Sequence, residues 1–212
     1  MRRLLSVLAI ISCCDAADWI AIQPRASFEH WTRVPMTPTT TLDAVSQWSI
    51  LPDGTLLCHG TAARGHEFLR YDRELGDFAL HVEWRFRKLP DVPGGKPQHY
   101  NSGVYVRTAA DGSRWFQAQI GAPGNSGFFF YDEFRDGVKR RVNLKSQMLS
   151  DPVRPPGEWN TFDIRAQGRS ITLTVNGVET SHFECERLRG YNGLEAEHYP
   201  IEFRNVKWKE LP

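Results

Sequence analysis

The residues best suited to chemistry are polar side chains at alternate positions of short apolar stretches: Glu83, Tyr105, Arg107, Gln117, Gln119, Glu195 and Glu197, with His99, Tyr100 and Asn101 beside them. Amides, carboxylates and guanidinium groups can each meet paired hydroxyls, and an aromatic face can lie against a sugar ring. An ordinary solvated sheet face carries the same residue types, so both readings stand at this point. Glu195 and Glu197 share one strand face, about 7 Å apart by the two-residue repeat. That separation falls in the range used by inverting glycosidases, but neighbours on one strand do not straddle a bond. His59, His66, His81, His99, His182 and His198 show neither HxH nor HExxH spacing, so no strong metal motif is present. There is no GxSxG elbow, P-loop or dinucleotide fingerprint.

These side chains need strands to hold them. Turn signals recur at short intervals, among them Pro52-Asp53-Gly54, Pro93-Gly94-Gly95, Asp111-Gly112, Asp136-Gly137, Gly168 and Asn192-Gly193. Short runs rich in Val, Ile, Phe, Tyr, Trp and Thr lie between them, and no helical period of useful length is found. This predicts an all-β sandwich or barrel. Alternation is clearest from Phe78 to Phe86, where Phe78, Leu80, Val82, Trp84 and Phe86 face inward and Ala79, His81, Glu83 and Arg85 outward. The same parity puts Val104 and Val106 inward with Tyr105 and Arg107 outward, and Phe116, Ala118 and Ile120 inward with Gln117 and Gln119 outward. Asn176-Gly177 closes a hairpin with type I′ turn chemistry. Leu194, Ala196, Ile201 and Phe203 are then inward, and Glu195, Glu197, Glu202 and Arg204 outward.

Two stretches are less regular. Arg25–Gln47 contains Pro35, Pro38 and Thr39-Thr40-Thr41, and predicts a strand near Phe28–Val34 followed by a surface excursion. Asn125–Val153 predicts a second excursion, whose run Phe128-Phe129-Phe130-Tyr131 either covers a site as a lid or plugs the core; burial of aromatic area favours the plug.

Arg2-Arg3, the apolar run Leu4–Ile11 and the small residues Ala16-Ala17 have the anatomy of an export signal, residues 1–17. Ile10-Ile11-Ser12-Cys13 also has the form of a lipobox, in which residues 1–12 are removed and Cys13 carries a lipid. Release and a membrane anchor at the N-terminus both remain open. The remaining 18–212 is enough for one cored domain. Residues 1–17 hold two arginines and one aspartate of the 26 basic and 25 acidic residues, so 24 of each sign remain. That balance, with no basic patch, argues against nucleic acid as a partner. Cys58 and Cys185 in an oxidising compartment most simply form one disulfide, with a loop-closure contribution on the order of 4 kcal/mol.

A resemblance follows from the segments Tyr71–Phe78, Leu80, Glu83-Trp84-Arg85, Asn101–Arg107, Gly157–Phe162, Val175–Val178, Gly193–Glu197 and Ile201–Val206. In order and spacing these resemble the family once called domain of unknown function 1080, over roughly Phe28 to Leu211. The resemblance implies a jelly-roll sandwich of two antiparallel sheets, of the concanavalin-A-like lectin/glucanase type. It also implies action on 3-keto-glycosides as a 3-keto-α-glucoside 1,2-lyase and 3-keto-2-hydroxy-glucal hydratase, or 3-keto-disaccharide hydrolase. A ketone at C3 acidifies the C2 proton, so a base can expel the C1 substituent and water can add back. By position, Glu83, Asn101, Arg107, Gln119 and Arg204 match recurrent polar positions of the family. Two positions depart: Gln117 stands where many members have Glu, and Glu195 where they have Gln. On this reading the base is one of Glu195, Glu197, His198 and His99. Asn101, Arg107 and Gln119 hold the enolate or hydroxyls, and Glu83, Tyr105, Gln117 and Arg204 complete the contact with a glycoside or oligosaccharide. A divalent cation on the Glu/His cluster is left open. The alternative is a carbohydrate-binding module that uses the same face without turnover.

Overall fold

Period-two patterning becomes two stacked antiparallel sheets in this computed structural model, which describes residues 18–36, 39, 41–60, 65–90, 98–135 and 138–212, the side chains of 133–135 excepted. The leader, Cys13, the Pro93-Gly94-Gly95 and Asp136-Gly137 turns, Pro38 and Thr40 fall outside that range.

The outer sheet runs β13 (Val178–Glu184), β12 (Ser170–Val175), β11 (Asn160–Gln167), β6 (Phe78–Phe86), β15 (Ile201–Glu210), β4 (Leu56–Cys58) and β3 (Trp48–Ile50), with β1 (Ile20–Ala21) also paired to β15. The cleft sheet runs β10 (Val138–Asn143), β9 (Phe129–Arg135), β8 (Phe116–Gly121), β7 (Asn101–Thr108), β14 (Tyr191–Ala196), β5 (Glu67–Tyr71) and β2 (Trp31–Pro35). Neighbours in each sheet are antiparallel, and most pairs are distant in the chain, as in a jelly roll.

The main core fills the space between the sheets. Phe78, Leu80, Val82, Trp84 and Phe86 of β6 meet Val104 and Val106 of β7, Phe116, Ala118 and Ile120 of β8, and Leu194 and Ala196 of β14, as alternation requires. The hairpin at Asn176-Gly177 has φ of 48° and 83°, the values a type I′ turn demands. A second, smaller cluster of Val34, Met36, Phe68, Tyr105 and Trp115 lies on the opposite face of the cleft sheet. That sheet is therefore covered on both faces.

Three expectations are corrected. The strand expected near Phe28–Val34 is β2 and begins at Trp31, because Phe28 (φ 51°) and His30 (φ 65°) sit in a left-handed turn. Phe129–Arg135 and Val138–Asn143 are paired antiparallel strands and not an excursion. Phe129 and Tyr131 face the core against Phe183, while Phe130 and Asp132 face the cleft, so both sides of β9 are covered. Plugging the core was the right role for half of that aromatic run. The disulfide is absent: Cys58 and Cys185 are both free and buried. β4 and β13 stand five places apart in the outer sheet, about 24 Å at the usual strand spacing, whereas bridged Cα atoms lie about 6 Å apart. Burial pushes the Cys58 thiol up to about 12.

Candidate functional site

The face of the cleft sheet away from the main core carries a hollow of about 440 Å³ lined by Met36, His66, Asn101, Tyr105, Trp115, Gln117, Gln119, Phe130, Lys139, Arg141, Glu195 and Glu197, among others. This is within the ~300–1,000 Å³ of small-molecule clefts.

Two glycines on the central strands shape its floor. On β7, Gly103 faces Gln119 of β8 and Tyr105 faces Gln117. A side chain at Gly103 would place its Cβ 2.3 Å from Gln117 Nε2. With glycine there, the Gln117 amide crosses β7 and donates to Glu195 Oε2 at 2.6 Å. On β14, Gly193 leaves the opening through which Phe68 of β5 and Tyr105 of β7 bring their rings to 5.3 Å; a Cβ there would sit 2.7 Å from Phe68.

Glu195 is the hub. It is 1% exposed. Its Oε1 accepts the Tyr105 hydroxyl proton and lies 2.5 Å from His66 Nε2, while Ser102 Oγ donates to its backbone carbonyl at 2.9 Å. Glu197, just beyond the end of β14, approaches the same His66 nitrogen at 3.7 Å. Beside them Gln119 Nε2 donates to Asn101 Oδ1 and to the Ile120 carbonyl, which orients the Asn101 amide at the cleft wall.

The electrostatics separate the roles. Glu197 is raised above the ordinary carboxylate range, first by burial and then by the Glu195 charge, against the smaller pull of His66, His198 and Asn101. Burial works against the His66 imidazolium, but the hydrogen bond to Glu195 and the charges of Glu195 and Glu197 outweigh it and raise its pKa. Tyr105 is held well above its usual value by burial, then by the charge and hydrogen bond of Glu195, so it remains a phenol that donates. The floor thus joins a fixed carboxylate, an imidazole biased toward its protonated form, and a second carboxyl with heightened proton affinity. Such a set can remove a proton at one atom and deliver one at another.

One ligand atom each from His66, Glu195 and Glu197 lies within 4.8 Å of the others, and one imidazole with two carboxylates suits a divalent transition metal. The fit is incomplete. Glu195 Oε1 is shared by Tyr105 and His66 and Oε2 is taken by Gln117, so a cation would have to break the His66–Glu195 hydrogen bond to enter.

Of the residues expected in a site, Asn101, Tyr105, Gln117, Gln119, Glu195 and Glu197 come together here. His99 stands at the rim, lining a neighbouring hollow with Asn101 and Gln119. His198 is exposed; its charge reaches Glu197, but it does not line the cleft. Glu83 and Arg204 are on the other sheet. Arg204 Nε donates to Glu83 Oε2 at 2.7 Å and Asn205 Nδ2 donates to Oε1 at 2.9 Å, so this pair satisfies itself on the outer face. Arg107 also leaves the list. It has φ 47°, and the β7–β14 register shifts around Asn192, whose Oδ1 accepts from the Arg107 backbone N–H. The side chain consequently turns into the protein, where its Nη atoms donate to the carbonyls of Gly76, Gly168 and Arg187 and to Asp77 Oδ1.

His66, Met36, Trp115, Phe130, Lys139 and Arg141 were not expected. Trp115 was within reach, since it shares parity with Gln117 and Gln119. His66 carries no such signal, because it precedes β5 and owes its place to β5–β14 pairing.

The two departures from the family pattern noted in the sequence, Gln117 and Glu195, are hydrogen-bonded to each other.

A family model described as a 3-keto-alpha-glucoside-1,2-lyase-like domain matches residues 18–209. No curated protein matches the sequence. Among solved structures, a candidate glycosyl hydrolase from Parabacteroides distasonis ATCC 8503 superposes with TM-score 0.61 at 18% identity, covering 92% of this chain and 100% of that one. The carbohydrate binding module CBM66 from Bacillus subtilis gives 0.59 at 13%, covering 85% and 96%. The Bacillus licheniformis beta-glucanase gives 0.53 at 12%, covering 94% and 100%. At these identities the likeness is one of fold, a concanavalin-A-like sandwich that hosts both enzymes and binding modules.

Proposed function

The chain belongs to the 3-keto-alpha-glucoside-1,2-lyase-like family, and on that premise we propose that it is a carbohydrate-active enzyme that cleaves 3-keto-glycosides by elimination across C1–C2 followed by hydration. The observation that carries this reading is the convergence of His66, Glu195 and Glu197 at the floor of an aromatic-walled cleft.

In this mechanism Glu197 is the base. Its carboxylate takes the C2 proton, whose acidity the C3 ketone supplies, and the C2–H electron pair forms an enolate. The enolate collapses to a C1=C2 double bond, and the C1–O1 bond breaks with its electron pair leaving on O1. His66, kept protonated by Glu195, delivers a proton to that oxygen. Water then adds at C1 and a proton returns to C2, so the sum is hydrolysis. The enolate oxygen needs a donor preplaced for it, and the Asn101 amide, oriented by Gln119, is a neutral donor in reach of the floor. Tyr105 and Gln117 act at one remove by fixing Glu195. Removing a C2 proton does not require two carboxylates on opposite sides of the glycosidic bond, so this chemistry suits a clustered floor better than direct displacement does.

A divalent cation would polarise the C3 carbonyl from the same position. The occupied Glu195 oxygens favour the proton reading, on which turnover persists after dialysis against a chelator. The reading also assigns the protein to an exported compartment, on the strength of the leader, free or lipid-anchored.

Purified protein incubated with an aryl 3-keto-glucoside should release the phenol with transient enone absorbance, and leave the matching non-oxidised glucoside intact. Saturable sugar binding with no product above background would replace the enzyme by a binding module.

A further inference from the structure

The far wall of the cleft differs from its floor. β10 reads Val-Lys-Arg-Arg-Val-Asn, and Lys139 and Arg141 both line the hollow. They converge on one carboxylate. Lys139 Nζ lies 2.7 Å from Asp132 Oδ2, and Arg141 Nε donates to Oδ1 at 2.7 Å. Asp132 is 2% exposed and opposite Arg141 in register, whereas both cations are half-exposed at 53%. Among the described residues two positive charges therefore share one negative partner, which leaves a net positive charge at the cleft edge. The Arg141 guanidinium also lies 5.2 Å from the Trp115 ring centre and 4.9 Å from that of Phe130. These contacts hold its donors beside an aromatic plate.

Placement decides what the charge can meet. β10 and β14 are four strands apart, about 19 Å of backbone at the usual spacing. After the reach of the arginine and glutamate side chains, roughly one to two sugar rings fit between them. The Lys139 and Arg141 pair is thus set for a group one unit removed from the reacting carbon. Basic residues on an edge strand also discourage strand pairing, but this requires neither a shared buried carboxylate nor two aromatic rings beneath the guanidinium.

We propose that the leaving-group side of the cleft selects glycosides whose aglycone or second sugar carries a carboxylate, recognised by Lys139 and Arg141 with its ring against Trp115 and Phe130. This rests on the 3-keto-glycoside reading for the position of the bond, while the recognition can be measured without turnover. A uronic acid and an aromatic acid present the same group on different rings.

The test compares the 3-keto-glucosides of 4-hydroxybenzoate and 4-hydroxybenzamide, of similar shape and different charge, with a disaccharide pair differing by uronic acid against neutral sugar. At low salt the acid is expected to be favoured about tenfold or more in KM. That preference should shrink with added salt, and fall in both Arg141→Gln and Lys139→Gln relative to wild type. The benzoate pair alone responding identifies an aromatic acid; the disaccharide pair alone responding identifies a uronic acid. Equal KM for acid and amide in both pairs, or a preference that survives both substitutions, overturns the proposal while leaving the reaction standing. Calorimetric binding of the corresponding non-oxidised glycosides is the second readout. Acid-selective binding without turnover keeps the carboxylate site and discards the reaction, and equal or no binding in the absence of turnover discards both.

Discussion

The cleft floor and the outer face of the opposite sheet are built from the same residue types and use them in opposite ways. On the outer face Glu83 is bonded by Arg204 and Asn205, Glu202 by Arg85 and Arg87, and His81 by Asp163. Arg85 and Arg204 lie 4.5 Å and 3.9 Å over the ring of Trp159. Glu83 and His81 there have partners near solvent, where such pairs contribute little and ask nothing of a ligand, and the buried Glu202 is shared by two arginines. In the cleft, Glu195 is buried, Glu197 and His66 press on the same point, and proton affinities are displaced. On the outer face hydrogen-bonded partners lower Glu83 and Glu202 against burial, whereas in the cleft burial and the Glu195 charge raise Glu197. A raised carboxyl beside an imidazole in a cleft marks a site prepared for proton transfer.

The contrast is best broken with paired substitutions. Glu195→Gln is expected to lower turnover of a 3-keto-glycoside by about 10²–10⁴-fold, whereas Glu83→Gln on the outer face should change it by no more than about twofold. Comparable losses for both would erase the distinction. Arg107→Met should act on stability alone, costing about 3–5 kcal/mol in denaturant unfolding because a buried, multiply bonded cation is removed. The kcat and KM of the folded fraction should stay at wild-type values. Gly103→Ala tests the cleft geometry at a smaller scale. The added Cβ displaces the Gln117 amide from Glu195, at about 1–3 kcal/mol for the hydrogen bond and roughly tenfold in turnover. A fully active variant would show that Gln117 does not position the hub.

The two faces should also differ in their response to pH. Turnover is expected to fall on the acid side as Glu197 takes up its proton, above the ordinary glutamate range, and on the alkaline side as His66 loses its own, above the ordinary histidine range. For stability, the folded form binds these two protons more tightly than the unfolded chain does. Their contribution is therefore present below the unfolded values and lost as pH rises through the raised ones. Glu83 and Glu202 run the other way. Burial would raise them, but Asn205 and Arg204 for Glu83, and Arg85 and Arg87 for Glu202, pull them lower. Their contribution is present above the unfolded carboxylate values and lost as pH falls through the lowered ones. Thermal melts of wild type, Glu83→Gln and His66→Gln across acid and mildly alkaline pH separate the two limbs.

Much of this was legible in the sequence, and the failures have physical causes. β6 was readable because one of its faces is wet and the other dry. β9 was not, because aromatic residues cover both faces and Phe128–Tyr131 shows no alternation. Parity correctly turned Glu83 and Arg204 outward, but it cannot say from which sheet, and the jelly-roll order put them across the sandwich from Glu195. Arg107 escaped because a single left-handed residue reverses the side on which its side chain falls. The disulfide was inferred from compartment and count, while sheet order keeps Cys58 and Cys185 apart. His66 lies outside the strand it precedes, and its partner is 129 positions away.

The most direct test of the central claim is the fate of hydrogen at C2. With a C2-deuterated 3-keto-glucoside, the proposed chemistry predicts a primary isotope effect on aglycone release, solvent-derived hydrogen at C2 of the sugar product, and loss of both with turnover in Glu197→Gln. Release at an unchanged rate with the deuterium retained in full would contradict it, and would mean displacement at C1.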